Sequence, residues 1–154
     1  MKVTIIGAGN MGGAIARGLA KGTIVGAADI TVSDPSEKML QQLQQEHPEI
    51  TVMTDNRAAI TEADFVIVAV KPWLMKPVLA ELPLQPHQVL VSVAAGVSFE
   101  QLVEYTAAPD QTMFRLVPNT AMSQLESMTL IASRQATPEH ERLMVEIFNE
   151  MGLA

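Results

Sequence analysis

Lys2-Val3-Thr4-Ile5-Ile6 is a short, largely β-branched run that flows directly into Gly7-Ala8-Gly9-Asn10-Met11-Gly12. Gly13-Ala14-Ile15-Ala16-Arg17-Gly18-Leu19 then places apolar or small residues at helical spacing. The order strand, glycine turn, helix constrains the fold more than the glycines do by themselves. In such a turn Gly7 permits the tight reversal and Gly9 lets backbone approach a pyrophosphate with no Cβ in the way. Gly12 lets the helix pack closely on the strand, and the helix N-terminus offers free N–H groups and partial positive charge to phosphates. Glycine-rich strand-to-helix turns also arise for purely structural reasons. The position of this one, immediately after an apolar strand, favours a nicotinamide or flavin dinucleotide as its ligand.

Strand and helix patterns then alternate to the end. Asp29 to Ser33 reads as a strand stopped by Asp34-Pro35, and Ser36 caps a helix through Glu46 with Met39, Leu40 and Leu43 on its apolar side. Ile50 to Met53 is a short strand, followed by a helical stretch to Ala63 that Asp55 or Asn56 can cap. Asp64 to Val70 is an almost continuous β-branched run, the signature of a strand covered on both faces of a parallel sheet. It ends in Lys71-Pro72-Trp73, where a helix to Glu81 begins and Trp73 is expected to cover the core. Val89 to Val93 leads into Ala94-Ala95-Gly96, and Ser98 opens a helix to Thr106. Thr112 to Val117 leads into Pro118-Asn119-Thr120. After a seventh strand, Met128 to Ala132, Thr137-Pro138-Glu139 starts a last helix with Met144, Ile147, Phe148 and Met151 on one stripe and Gly152 at its end. The pattern predicts one domain over 1–154: a doubly wound, mainly parallel α/β sheet of the Rossmann-like dinucleotide-binding class.

Composition narrows the chemistry. Seventeen acids against ten bases give a net charge of −7 with no basic run, which argues against nucleic acid or an anionic membrane as partner. The absence of cysteine removes disulfides, thiolate metal ligands and a cysteine nucleophile. No apolar run is long enough to span a bilayer, and a cytoplasmic protein is expected. Met39, Met75, Met113, Met144 and Met151 fall within apolar patterns and read as core filling. His47, His87 and His140 are scattered and read as solvated side chains. With no Walker loop, nucleophile elbow or metal-ligand spacing, cofactor binding is the chemistry that the residues support, with no catalytic or metal residue expected.

Position along the strands nominates further residues. Ligands of open α/β sheets bind outside the carboxyl ends of the strands, so Ala69 to Pro72 should border a cleft. There Lys71 reads equally as a cleft residue and as a solvated loop lysine. Small residues at Ala94 to Gly96 would let a flat group pack against backbone. Asp34 stands 22 positions beyond Gly12, where this fold places an acid on the adenosine ribose 2′-OH; the competing reading is a turn aspartate before a proline. An acid there repels a 2′-phosphate and favours NAD(H), whereas Ser33, Ser36 and Lys38 could receive that phosphate.

Four segments taken together resemble one family, the pyrroline-5-carboxylate reductases: I-I-G-A-G-N-M-G-G-A-I (5–15), A-V-K-P (69–72), S-V-A-A-G-V (92–97) and R-L-V-P-N-T (115–120). The resemblance covers all 154 residues and only the family's N-terminal cofactor domain. It implies reduction of the cyclic imine of 1-pyrroline-5-carboxylate to L-proline by hydride from NADPH or NADH. Gly7, Gly9, Asn10, Met11 and Gly12 would hold the pyrophosphate, and Asn56 would contact the adenosine ribose. Ala69, Val70, Lys71, Pro72, Ala94, Ala95, Gly96, Pro118 and Asn119 would line the nicotinamide channel. The family continues Pro-Asn-Thr-Pro, whereas Ala121 follows Thr120 here. The family's helical second domain, which binds the substrate carboxylate and forms the homo-oligomer, has no counterpart in these residues. A chain of this kind should bind cofactor without turning over alone, and should expose an apolar patch near its last helix. A stand-alone dinucleotide sensor, or a reductase of another small substrate such as a 3-hydroxyacid, are the competing readings.

Overall fold

The computed structural model describes residues 1–118 and 128–150. Seven strands, β1 (Val3–Ile6), β2 (Ile30–Ser33), β3 (Thr51–Met53), β4 (Phe65–Val68), β5 (Val89–Ser92), β6 (Met113–Pro118) and β7 (Met128–Arg134), form one sheet in the order β3-β2-β1-β4-β5-β6-β7. The first six are mutually parallel and β7 runs antiparallel to β6. This is the expected doubly wound, mainly parallel sheet. Its order reverses at β1, where the chain goes outward first to β2 and β3 and then returns to β4.

Among the described residues six α-helices cover the sheet: α1 (Asn10–Ala20), α2 (Glu37–Glu46), α3 (Asn56–Ala59), α4 (Met75–Glu81), α5 (Phe99–Thr106) and α6 (Pro138–Glu150). Ile5, Val32, Ile67, Val91 and Phe114 point to one face, against Ile15 and Leu19 of α1, Leu40 and Leu43 of α2, and Met144, Ile147 and Phe148 of α6. Ile6, Val66, Val68, Leu90 and Met113 point to the other, against Met75 and Leu79 of α4 and Leu102 of α5. Alternate residues of β4 and β5 are therefore apolar in both directions, which is why these strands read as continuous hydrophobic runs.

The helix starts follow the sequence signals. Ser36 accepts from the Met39 N–H, and Ser98 and Gln101 form a reciprocal capping box. Thr137 Oγ1 accepts from the His140 N–H, while His140 Nδ1 accepts from the Thr137 N–H. Asp55, not Asn56, caps α3 by accepting from the Arg57 N–H.

Two core expectations are overturned. Trp73 is 74% exposed. It lies in a 3₁₀ turn (Pro72–Leu74) ahead of α4, where three residues per turn send adjacent side chains in divergent directions and the helical period does not apply. Met39 is 39% exposed and borders the cleft described below, whereas Met75, Met113 and Met144 fill the core as expected. Met144, Ile147 and Phe148 are buried, and among the described residues the exposed large apolar side chains are Met1, Met39, Trp73, Leu74 and, on α6, Val145. Met151 and Gly152 lie outside the described residues.

A cleft at the carboxyl edge of the sheet

Register brings the last residues of β1, β2, β4 and β5 to one level, Ile6 pairing with Ser33 and Val68, and Val68 with Ser92; Ser92 in turn pairs with Arg115 within β6. The residues that follow these ends surround a cleft of about 1520 Å³. Its lining brings together Gly7, Gly9, Asn10, Met11, Asp34, Asn56, Ala69, Val70, Lys71, Pro72, Ala94 and Ala95. Fourteen residues beyond the candidates share the wall, among them Ala8, Arg17, Lys21, Ser33, Met39, Leu74 and Val78. Gly12 and Gly96 stand next to the cleft without lining it. Pro118 ends β6, and Asn119 and Ala121 lie outside the described residues.

The three glycines of the turn have three different reasons. Gly7 has φ +105°, and a Cβ there would stand 2.8 Å from the carbonyl oxygen of Ala69, so both backbone conformation and packing require glycine. At Gly12 a Cβ would fall 1.8 Å from the Gly7 carbonyl oxygen, which makes this residue the close-packing glycine between α1 and the strand end. A Cβ on Gly9 would meet no protein atom within 4 Å. Among the described residues none needs Gly9 to be small, and the space beside it opens where a ligand's phosphates can approach backbone. Gly9 is also the N-cap of α1, which has no capping side chain and no acid in its first turn. Its first N–H groups and the positive end of its dipole remain available to an anion.

Residues 33 and 34 hold the turn in place. The Ser33 carbonyl accepts from the Gly7 N–H at 2.7 Å. The Asp34 carboxylate accepts from the Ala8 N–H at 2.7 Å and from the Ser36 N–H at 2.8 Å. Asp34 is thus at once the turn aspartate and a cleft residue, and its two oxygens retain lone pairs for a further donor. Ser33 is fully buried and donates its hydroxyl to Asn56 Oδ1 at 2.6 Å, so it is not free to receive a phosphate. Lys71 is exposed and lines the cleft, so its two readings coincide. Across the rim, Arg17 of α1 pairs with Glu46 of α2 at 2.5 Å, and that hydrogen bond and charge hold the Glu46 carboxyl below its ordinary range. Among the described residues no cluster of three or more potential metal ligands occurs, and no helix is long and apolar enough to cross a membrane.

The part that sequence reasoning missed is the tie from Asp34 to Ala8 and from Ser33 to Asn56. The only signal for it was the recurrence of Ser33 and Asp34 at a strand end opposite the glycine turn.

A parallel sheet with this order, a glycine turn at its switch point and an open helix N-terminus facing the cleft define a Rossmann-like dinucleotide-fold domain. A family model described as NADP oxidoreductase coenzyme F420-dependent matches residues 2–96, and the chain belongs to that family. Over 156 aligned residues it is 36% identical to a pyrroline-5-carboxylate reductase of Methanosarcina acetivorans, covering 99% of this chain and 57% of that protein. A solved pyrroline-5-carboxylate reductase of Coxiella burnetii superimposes with a TM-score of 0.86 at 27% identity, over 99% of this chain and 57% of the other. A Plasmodium falciparum pyrroline carboxylate reductase, solved with NADP bound, superimposes with a TM-score of 0.84 at 24% identity. The resemblance carried by the four strand-end segments is borne out. The chain spans a little over half the length of the relatives it matches.

Proposed function

We propose that this chain is the cofactor-binding domain of a pyrroline-5-carboxylate reductase, holding NAD(P)H for reduction of the imine of 1-pyrroline-5-carboxylate to L-proline. The observation that carries the cofactor half of this reading is the empty volume beside Gly9 at the uncapped start of α1. Similarity to pyrroline-5-carboxylate reductases over 99% of the chain carries the substrate half.

When bound, a reduced nicotinamide dinucleotide supplies the hydride. The backbone from Gly7 to Met11, with the first N–H groups of α1, takes the pyrophosphate, and Gly12 keeps α1 close enough to do so. Asp34 and Asn56 take the adenosine ribose. Ala69 to Pro72, with Ala94 and Ala95, form a small-residue wall that lets a flat ring lie close to backbone and keeps water from it. An imine hydrogen-bonded or protonated at nitrogen is already electrophilic, so positioning and water exclusion are the main tasks left to the protein. No nucleophile is required of these residues. Groups that hold the substrate carboxylate and build the homo-oligomer belong to the remainder of the reductase, and cytoplasmic residence goes with this reading.

The test has two arms. Titration of NADH and NADPH into the chain, followed by the fluorescence of the single tryptophan, Trp73, between the cleft-lining Pro72 and Leu74, should give saturable binding. Assay of the protein encoded by the complete gene should show NAD(P)H oxidation with 1-pyrroline-5-carboxylate and none with a panel of 3-hydroxyacids and their oxo counterparts. Reduction of an oxo acid without imine reduction would replace the substrate assignment. Binding without any turnover by the complete protein would favour a sensor.

A further inference from the structure

The structure assigns Ser33 a positioning role: its buried hydroxyl fixes the Asn56 amide so that a hydrogen-bond donor faces the adenosine end of the cleft. This rests on the reading of the cleft as a dinucleotide site.

Ser33 is the last residue of β2 and is completely buried, and its hydroxyl lies 2.6 Å from Asn56 Oδ1. A buried hydroxyl hydrogen needs an acceptor. Were the amide reversed, Ser33 would face an N–H group and its own hydrogen would be left without a partner, at the cost of an unpaired buried polar group. The pair therefore has one satisfied arrangement, with Oδ1 toward Ser33 and Nδ2 on the other side.

Asn56 is half-buried and lines the cleft, and among the described residues its Nδ2 has no hydrogen-bond partner. It is the first residue of α3, where Asp55 does the capping, so the amide is not needed for the helix. Beside it, Asp34 can only accept. The strand end thus offers one acceptor and one oriented donor, which is the complement of two neighbouring hydroxyls: one hydroxyl donates to Asp34 while the other accepts from Asn56. Ser33 touches neither hydroxyl and acts only through Asn56.

The test is a double-mutant cycle read by NADH affinity in the intact chain. Ser33→Ala should weaken NADH binding roughly three- to tenfold, the equivalent of one neutral hydrogen bond. Asn56→Ala should weaken it at least as much, and the double variant should bind no more weakly than Asn56→Ala alone. A merely structural role for Ser33 would instead make the two losses multiply. Undiminished binding by Ser33→Ala, or full additivity, would overturn the assignment while leaving the cofactor reading intact. Absence of NADH and NADPH binding by the unaltered chain would overturn both. If Ser33→Ala does not fold by circular dichroism, Ser33→Cys fills similar space with a weak donor, and the same cycle and outcomes apply to it.

Discussion

The carboxylate of Asp34 accepts a hydrogen bond from the backbone N–H of Ala8 at 2.7 Å. The two residues are 26 positions apart, and the contact joins the end of β2 to the middle of the glycine turn. The negative charge of Asp34 is consequently held in the cleft wall by two backbone donors, and it cannot swing away to admit a second anion without leaving both unpaired.

Cofactor choice should follow from that tether. Asp34→Asn keeps the shape and one acceptor oxygen but removes the charge that, on the proposed reading, would repel a 2′-phosphate. At the partly screened dielectric of a protein surface, unit charges a few ångströms apart differ by a few kcal/mol. The ratio of NADPH to NADH affinity should therefore rise by about tenfold or more. Calorimetric titration of both nucleotides checks this, and a ratio unmoved by the substitution would show that Asp34 does not govern the choice.

Gly9 and Gly12 should separate binding from folding. In Gly9→Val the side chain enters space free of protein atoms, and the backbone at φ −70°, ψ −162° suits any residue. Stability should stay within about 0.5 kcal/mol, as for other unconstrained surface sites, while dinucleotide affinity is lost. Gly12→Ala should do the reverse damage first, since its Cβ would overlap the Gly7 carbonyl oxygen at 1.8 Å; forcing α1 off the strand end should cost about 3 kcal/mol or more. Paired thermal melts and NADH titrations distinguish the two. A Gly9→Val protein that retains affinity would make the turn purely structural.

The division between what was legible and what was not follows the range of the interactions. The β-branched runs, the glycine turn and the caps at Ser36, Ser98 and Thr137 are local signals, and they placed the elements and most of the cleft lining. Trp73 and Met39 were misread because apolarity and spacing do not distinguish a core position from an exposed turn or a cleft wall. Met39 sits in the first turn of α2, beside the strand ends, and Trp73 sits where the helical period has not begun. The hydrogen bonds from Ala8 to Asp34 and from Ser33 to Asn56 span 26 and 23 positions and depend on strand order. No local pattern encodes them.

Acid should weaken the α1–α2 bridge in a defined window. The Glu46 carboxyl lies below its ordinary value of 4.5 chiefly because of the hydrogen bond from Arg17. A carboxylate depressed in the folded state contributes stability that is present above its unfolded value and lost as pH falls through the folded one. The difference in melting temperature between the unaltered chain and Glu46→Gln should be constant near neutrality and shrink as pH drops below 4.5. Because both partners are solvent-exposed, added salt should shrink it at any pH. Lys2 gives the opposite sign: its hydrogen bond to Glu62 raises it above 10.5, so that contribution fades only in alkali above this value. A Glu46→Gln difference that grows on acidification would refute the assignment of the bridge.

At the opposite edge of the sheet, the buried amide of Gln88 should matter for stability alone. Its Nε2 donates to the carbonyls of Ile60 at 2.6 Å and Ala63 at 2.9 Å, while its Oε1 accepts from the Gln85 N–H at 2.9 Å. One side chain thus satisfies three backbone groups between α3 and the start of β5, none of which lines the cleft. Gln88→Leu keeps the volume and leaves the Ala63 carbonyl and the Gln85 N–H without a partner, while the Ile60 carbonyl keeps the Ala63 N–H. Unpaired buried groups cost about 1–3 kcal/mol each, and partial hydration at this edge should bring the total to about 3 kcal/mol rather than the full sum. Urea unfolding should show a lower midpoint at unchanged slope, with NADH affinity preserved. The backbone carbonyls of Gln85 and Gln88 still accept from Gln111 in this variant, so the damage should stay local. A loss below about 0.5 kcal/mol would mean that water replaces the amide without penalty. Weakened NADH binding would mean that the two edges of the sheet are coupled.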